Sequence, residues 1–202
     1  MILFQEATKT RSASKLTVRC LTEGAVMVAM GYVLSVIKLW EMPWGGAICL
    51  SMLPVFLFAC RWGLRAGCMS GLLLGIITFI LDGGLALGWQ SILGDYLIAF
   101  TVLGLAGLFR FKKSSIFLGT LAGSAARFLV HYVVGATVWA MYMPERFLGM
   151  TMTTPWFYSL LYNGLFMVID TALCLVVFVI LSKPMEKYLL AEDIRAAEGP
   201  KA

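Results

Sequence analysis

Six polar and aromatic side chains stand out in an otherwise apolar chain: Asp95 and Tyr96, His131 and Trp139, and Tyr158 and Asn163. A carboxylate supplies negative charge, indole and phenol rings offer stacking faces, and imidazole and carboxamide groups both donate and accept hydrogen bonds. Together they suit a flat, cationic heteroaromatic ligand, because a cation over an aromatic face gains about 0.5–2 kcal/mol and a nearby carboxylate adds selectivity for positive charge. His131, Gly135 and Trp139 recur at i, i+4 and i+8, which is one face of a helix. Singly, each has a plainer reading: Asp95 as a helix N-terminal cap, His131 as a satisfied structural histidine, and Trp40, Trp44 and Trp89 as an interfacial aromatic belt. A belt does not explain an acid, an imidazole and a carboxamide together at membrane depth, where each is costly unless paired or hydrated. A ligand cavity does.

The elements that position these groups follow from composition. Of 202 residues, 60% are hydrophobic and 13% charged, about half the ~25% charge of ordinary soluble domains. Folded in water, such a chain would leave large apolar patches bare, whereas a bilayer accepts them. At about 20 residues per crossing there is room for six crossings and no soluble catalytic domain. Neither a GxxxxGK[ST] loop nor a strand-flanked GxGxxG is present to cradle phosphates. Uncharged apolar runs cover 24–37, 42–60, 66–81 and 96–109, then 114–143 interrupted by Arg127, and 147–182 interrupted by Asp170. The expected fold is an all-α integral membrane protein, a bundle of six transmembrane helices.

Basic residues orient the bundle. Lys9, Arg11, Lys15 and Arg19 precede the first run, Arg61 and Arg65 lie between the second and third, Arg110, Lys112 and Lys113 between the fourth and fifth, and Lys183, Lys187, Arg195 and Lys201 close the chain. The alternate connections carry Glu41, Asp82, and Glu145 with Arg146. Loops rich in Lys and Arg stay cytoplasmic, so both termini are expected there. Residues 1–14 and 191–202 read as loose cytoplasmic tails around a membrane domain of 15–190, with no cleavable signal. On this topology Asp95, His131, Trp139, Tyr158 and Asn163 fall in the extracellular half. The five cysteines show no CxxC pair, and a single histidine argues against a metal cluster. The net charge of +5 follows the membrane pattern and implies no nucleic acid partner.

Small residues recur at four-residue spacing in Gly63, Gly67, Gly71 and Gly75, in Gly119 and Gly123, and in Ala25 and Ala29. Such stripes let helices approach closely in lipid. The glycines suggest packing inside the bundle, whereas for Ala25 and Ala29 a partner's helix is an equal contender. Arg127 and Asp170 both lie about 20 Å below the outer helix ends at 1.5 Å per residue, and the expectation is that they pair.

The segment from Leu16 to about Leu190 resembles the thiamine-specific S component of energy-coupling-factor (ECF) transporters, the ThiT-like family. The resemblance is carried by LTEGAVMVAM at 21–30, LSMLPVFLFACRWGLRAG at 50–67, GDYLIAFTVLGLAGLFR at 94–110, RFLVHYVVGATVW at 127–139 and WFYSLLYNG at 156–164. It implies thiamine contacts at Asp95, His131, Trp139, Tyr158 and Asn163, and pocket positions at Tyr96 and Gly135, the glycine leaving room for ligand. It also implies a first-loop tryptophan over the ligand, Trp44 in preference to Trp40. Docking of a transmembrane coupling subunit on Ala25 and Ala29 is implied too, with a pair of ATPases driving uptake and no cofactor in this chain. The implied function is capture of extracellular thiamine, not enzymatic chemistry. An S component for another vitamin or a thiamine precursor, and a self-sufficient secondary transporter, are the alternatives.

Overall fold

Thr17 sits in extended backbone and its hydroxyl accepts the Cys20 N–H, starting α1 (Val18–Val36). The computed structural model describes residues 17–81, 86–110 and 114–197. The expected N-terminal tail, Asp82 and the basic pair Lys112 and Lys113 lie outside these residues. After α1 come a small hairpin, β1 (Trp40–Glu41) paired antiparallel with β2 (Ala47–Ile48), then α2 (Met52–Trp62), α3 (Leu64–Leu81), a helical span α4 (Trp89–Phe109) and α5 (Ser115–Thr137). A second hairpin, β3 (Arg146–Phe147) with β4 (Met150–Thr151), leads into α6 (Pro155–Ser182). Short helices α7 (Glu186–Leu189) and α8 (Glu192–Ala197) follow.

Five of these helices, α1, α3, α4, α5 and α6, are long and apolar enough to cross a membrane. The sixth member of the bundle, α2, has 11 residues, all buried, and at 1.5 Å per residue it reaches only roughly 16 Å of a hydrocarbon core about 30 Å thick. The apolar run from Met42 predicts a longer helix. Pro43, Gly45 with φ of 105°, and Gly46 break it, and the chain makes the β1–β2 hairpin where the outer half of that helix would have been. Gly63, with φ of 92°, ends α2 and turns directly into α3.

The glycine ladder packs inside the bundle. A Cβ on Gly71 would lie 2.1 Å from the Phe100 carbonyl oxygen, and one on Gly75 2.2 Å from that of Tyr96, so α3 and α4 touch backbone to backbone. Gly104 and Gly107 of α4 return the contact against Cys68 and Gly63. Along α4 the winding is uneven, wide as a π-helix over Ile92–Ile98 and tight as a 3-10 helix over Val102–Phe109. Long stretches of either are uncommon and recur at functional sites. Thr154 caps α6 by accepting the Phe157 N–H at 3.1 Å, and Pro155 follows at the first helical position. Exposed Val26, Val33, Leu73, Leu121, Leu129, Val168 and Val179 clothe the outside of the bundle with aliphatic surface.

At the end opposite the hairpins, Arg61 is completely buried and ties three segments together. Its guanidinium donates to Glu23 of α1 at 2.9 Å, to both Asp193 oxygens at 2.9 and 2.7 Å, and to the Tyr188 carbonyl at 2.9 Å, and it lies 4.0 Å from the Tyr188 ring centre. The tail expected to be loose from Ala191 onward thus carries α8, anchored through Asp193. Burial pushes the Tyr188 phenol up to about 12, so it remains protonated. Hydrogen bonds from Arg61 hold the Asp193 carboxyl well below the usual carboxylate range. A depressed folded-state pKa stabilises fully at neutral pH, and the contribution fades as pH falls below the ordinary aspartate value of about 4. Acidification below that value is therefore expected to loosen residues 186–197 before the bundle melts, read as faster backbone hydrogen exchange there. Arg61→Met, which leaves Arg19 as the remaining cationic partner of Glu23 and Asp193, should produce the same loosening at neutral pH.

Candidate functional site

Asp95 lies in the wide-wound part of α4, and both of its oxygens are occupied. Oδ1 meets His131 Nδ1 at 2.9 Å, and Oδ2 accepts from Trp139 Nε1 at 2.9 Å and from the Ser91 hydroxyl at 2.8 Å. On the far side of the imidazole, Arg127 Nε donates to His131 Nε2 at 3.2 Å. A guanidinium has no acceptor, so Nε2 must be the acceptor and the imidazole proton sits on Nδ1, where it donates to Asp95. The chain Arg127, His131, Asp95 therefore runs in one direction, with a neutral histidine between a cation and a carboxylate. The plainer reading of Asp95 as a helix cap is not what its oxygens do.

Asn163 of α6 is held from its own helix and from α5. Its Nδ2 reaches the Ser159 hydroxyl at 2.9 Å, the Ser159 carbonyl at 3.1 Å and the His131 carbonyl at 3.2 Å. The Ser159 hydroxyl in turn donates to the Tyr132 carbonyl at 2.8 Å. Gly135 permits this contact, because a Cβ there would come within 2.5 Å of Ser159 Oγ and 2.7 Å of Asn163 Nδ2. It serves helix packing as well as lining the cavity. Trp139 lies two residues past the end of the helix predicted to carry it, since α5 ends at Thr137 and Trp139 leads into a 3-10 turn. Its indole still reaches Asp95.

These groups line one cavity of about 170 Å³, together with Tyr96, Tyr158, Arg127, Asp170 and residues of the β1–β2 hairpin. Tyr158 is buried, its ring 5.4 Å from Phe147 of the second hairpin and 5.5 Å from Tyr162. Tyr96 packs edge-on against Phe79 at 5.1 Å. The Tyr162 hydroxyl pins the first hairpin by donating to the Pro43 carbonyl and accepting the Gly46 N–H at 3.2 Å. The shortness of α2 is what opens this space, since Gly45, Gly46, Ala47 and Cys49 form the wall that a full-length helix would have filled. Trp40 and Trp89 are 51% and 69% exposed and stand away from the cavity. The side chain of Trp44 lies outside the described residues, while its backbone forms the hairpin turn beside the cavity.

Arg127 and Asp170 line the same cavity but form no ion pair among the described residues. Asp170 Oδ1 accepts the Cys49 N–H at 3.0 Å, while Arg127 turns to His131 and lies 4.1 Å from the Phe100 ring centre. Two carboxyl groups and one guanidinium thus face the space, and Lys38, also at its wall, pairs with Glu41 at 2.7 Å. The balance favours a cation. Three supports escaped the sequence reading: Ser91, Arg127 as partner of His131, and Ser159. Each stands four residues before the group it holds, Asp95, His131 or Asn163, and that i−4 spacing is the signal that finds them.

Comparison with known proteins agrees with this architecture. The family described as "Thiamine transporter protein (Thia_YuaJ)" matches residues 21–190. The thiamine transporter ThiT of Bacillus subtilis (strain 168) is 31% identical over 183 residues, covering 83% of this chain and 92% of the relative. Its namesake from Lacticaseibacillus paracasei is 30% identical over 161 residues, covering 70% and 76%. A solved structure of ThiT from Listeria monocytogenes superposes with a TM-score of 0.75 at 24% identity, covering 85% of this chain and 97% of that one, and shares its fold. The relatives are named as transporters rather than enzymes, and with its five long apolar helices this chain is a multi-pass membrane protein that belongs to the thiamine transporter family.

Proposed function

We propose that this chain captures extracellular thiamine at the cell membrane as the substrate-binding S component of an ECF importer. The observation that carries the reading is the Asp95 carboxylate, fixed by three donors at the wall of a cavity rich in aromatic rings. Thiamine joins a permanently cationic thiazolium to an aminopyrimidine, so it uses both the charge and the rings. In this reading the hairpin end faces outward, both termini are cytoplasmic, and Asp95, His131, Trp139, Tyr158 and Asn163 contact the vitamin, with Tyr96 and Gly135 beside them. Trp44 in the hairpin turn covers the ligand. Family membership supports thiamine as the ligand over other vitamins.

The chain has no phosphate-binding loop, so energy comes from partners: a transmembrane coupling subunit and two ATPases. Ala25 and Ala29 are exposed on α1 beside Val26 and Met30, a small-residue stripe left open for that subunit's helix. Uptake of labelled thiamine by cells expressing this chain should require the coexpressed partners, and uptake by liposomes holding this chain alone would instead support a self-sufficient carrier. Trp139→Phe keeps a ring but deletes the donor to Asp95, and loss of one hydrogen bond to a charged group predicts roughly tenfold weaker thiamine binding. Equilibrium titration of the purified variant checks it.

A further inference from the structure

At the end of the bundle opposite the cavity, residues 186–197 grip the first turns of α1. Asp193 of α8 pairs with both Arg61 and Arg19, and Ile194 packs on the apolar cluster of Cys20, Phe58, Trp62 and Ala66. Glu23, on α1 itself, closes the knot by accepting from Arg61 at 2.9 Å, from Arg19 at 3.0 Å and from Trp62 Nε1 at 2.8 Å. Elsewhere α1 is loosely held. Four of its 19 residues are buried, Cys20, Val28, Gly31 and Ser35, and it meets Phe58 and Leu74 through the bare backbone of Gly24 and Gly31. In lipid, aliphatic contact with a neighbouring helix gains little over contact with acyl chains, so the ionic knot at this end decides how α1 leans.

The other end of α1 reaches the cavity. Glu23 and Ser35 are about 18 Å apart along the helix at 1.5 Å per residue. Ser35 and Lys38 stand on the cavity wall, and the Leu39 N–H donates to the Ile48 carbonyl at 2.8 Å, which joins the end of α1 to the first hairpin. We infer that residues 186–197 form a clasp that controls, from the far end of α1, how long the cavity keeps its ligand. Closed on Arg61 and Glu23, the clasp holds α1 at the angle that seats the hairpin against Tyr162. Opened, it frees α1 to swing on its two glycines and draw the hairpin off the cavity. Such coupling is reciprocal: a ligand that favours the seated hairpin tightens the clasp by the factor by which the clasp tightens the ligand. The inference takes thiamine as the ligand from the reading above and adds a control to it.

The test uses the full-length protein in detergent and reads both ends of α1. Asp193→Lys sets a cation against Arg61 and Arg19 and so opens the clasp, while Glu23 keeps Arg61 and every cavity residue is untouched. Thiamine should leave this variant at least about fivefold faster than it leaves the wild type, the lower end of ordinary coupling between sites, and Asp193→Glu, which keeps the charge, should restore the slow release. In the wild type, saturating thiamine should slow backbone hydrogen exchange across residues 186–197 by a similar factor, an effect that a clasp serving stability alone would not show. Wild-type release from a folded Asp193→Lys protein overturns the clasp. So does exchange at 186–197 that ignores bound thiamine, a result that needs no variant, and in both cases thiamine binding itself still stands. A wild type that binds no thiamine overturns the thiamine reading and this inference together.

Discussion

Asp95→Asn is expected to weaken thiamine binding by about two orders of magnitude while leaving the protein folded. The substitution keeps the shape of the side chain and removes its charge. An aspartate at this point accepts from His131, Trp139 and Ser91 at once, whereas an asparagine has one acceptor oxygen and an NH2 that would face one of those donors. The ligand's cation loses its counter-charge in a site shielded from water, and truncating one partner of a buried charge pair costs about 2–5 kcal/mol, of which 2.7 is a hundredfold. Calorimetric titration of the variant, with its melting temperature as the folding control, gives the number. A variant that binds like the parent would remove Asp95 from the site and with it the proposed reason for cation selectivity.

Gly71→Ala is expected to lower the melting temperature in detergent and Gly164→Ala to raise it, although both place one methyl group on a helix. At Gly71 the new Cβ would stand 2.1 Å from the Phe100 carbonyl oxygen, a backbone atom that moves only if α3 and α4 separate. At Gly164 the nearest neighbour is Phe128 Cε2 at 3.9 Å, an ordinary contact. Overpacking a tight contact costs about 1–3 kcal/mol or more, while replacing an unstrained helical glycine by alanine gains up to about 1 kcal/mol. The two variants should therefore move in opposite directions. Because Phe100 and Tyr96, the residues whose carbonyls meet Gly71 and Gly75, also line the cavity, Gly71→Ala should weaken ligand binding as well.

Much of this fold was legible in the residues because lipid exposure leaves a coarse signature. Long uncharged runs marked α1, α3, α4, α5 and α6, and the four-residue glycine spacing marked the face of α3 that meets α4. What periodicity could not show was the truncation of α2, since Met42 to Cys60 is apolar throughout and only Pro43, Gly45 and Gly46 signal that its first part turns back as a hairpin. That hairpin supplies a cavity wall, so the missing half-helix concealed the shape of the site as well. The polar constellation itself was readable: Asp95, His131, Trp139, Tyr158 and Asn163 do converge. The pairing expected between Arg127 and Asp170 was wrong in partner and right in neighbourhood, because both reach one cavity but each has a nearer hydrogen-bonding group. Depth along a helix can be counted from sequence, whereas rotation about its axis is set by packing. The i−4 helpers Ser91, Arg127 and Ser159 show what counting alone passed over.

Binding of thiamine to the isolated chain tests the central claim most directly. Purified protein, without ATP or any partner, titrated with thiamine under equilibrium conditions, should saturate at one ligand per chain with a change in tryptophan fluorescence as Trp139 and its neighbours meet the vitamin. Absence of saturable binding by the folded wild type would contradict the account at its root.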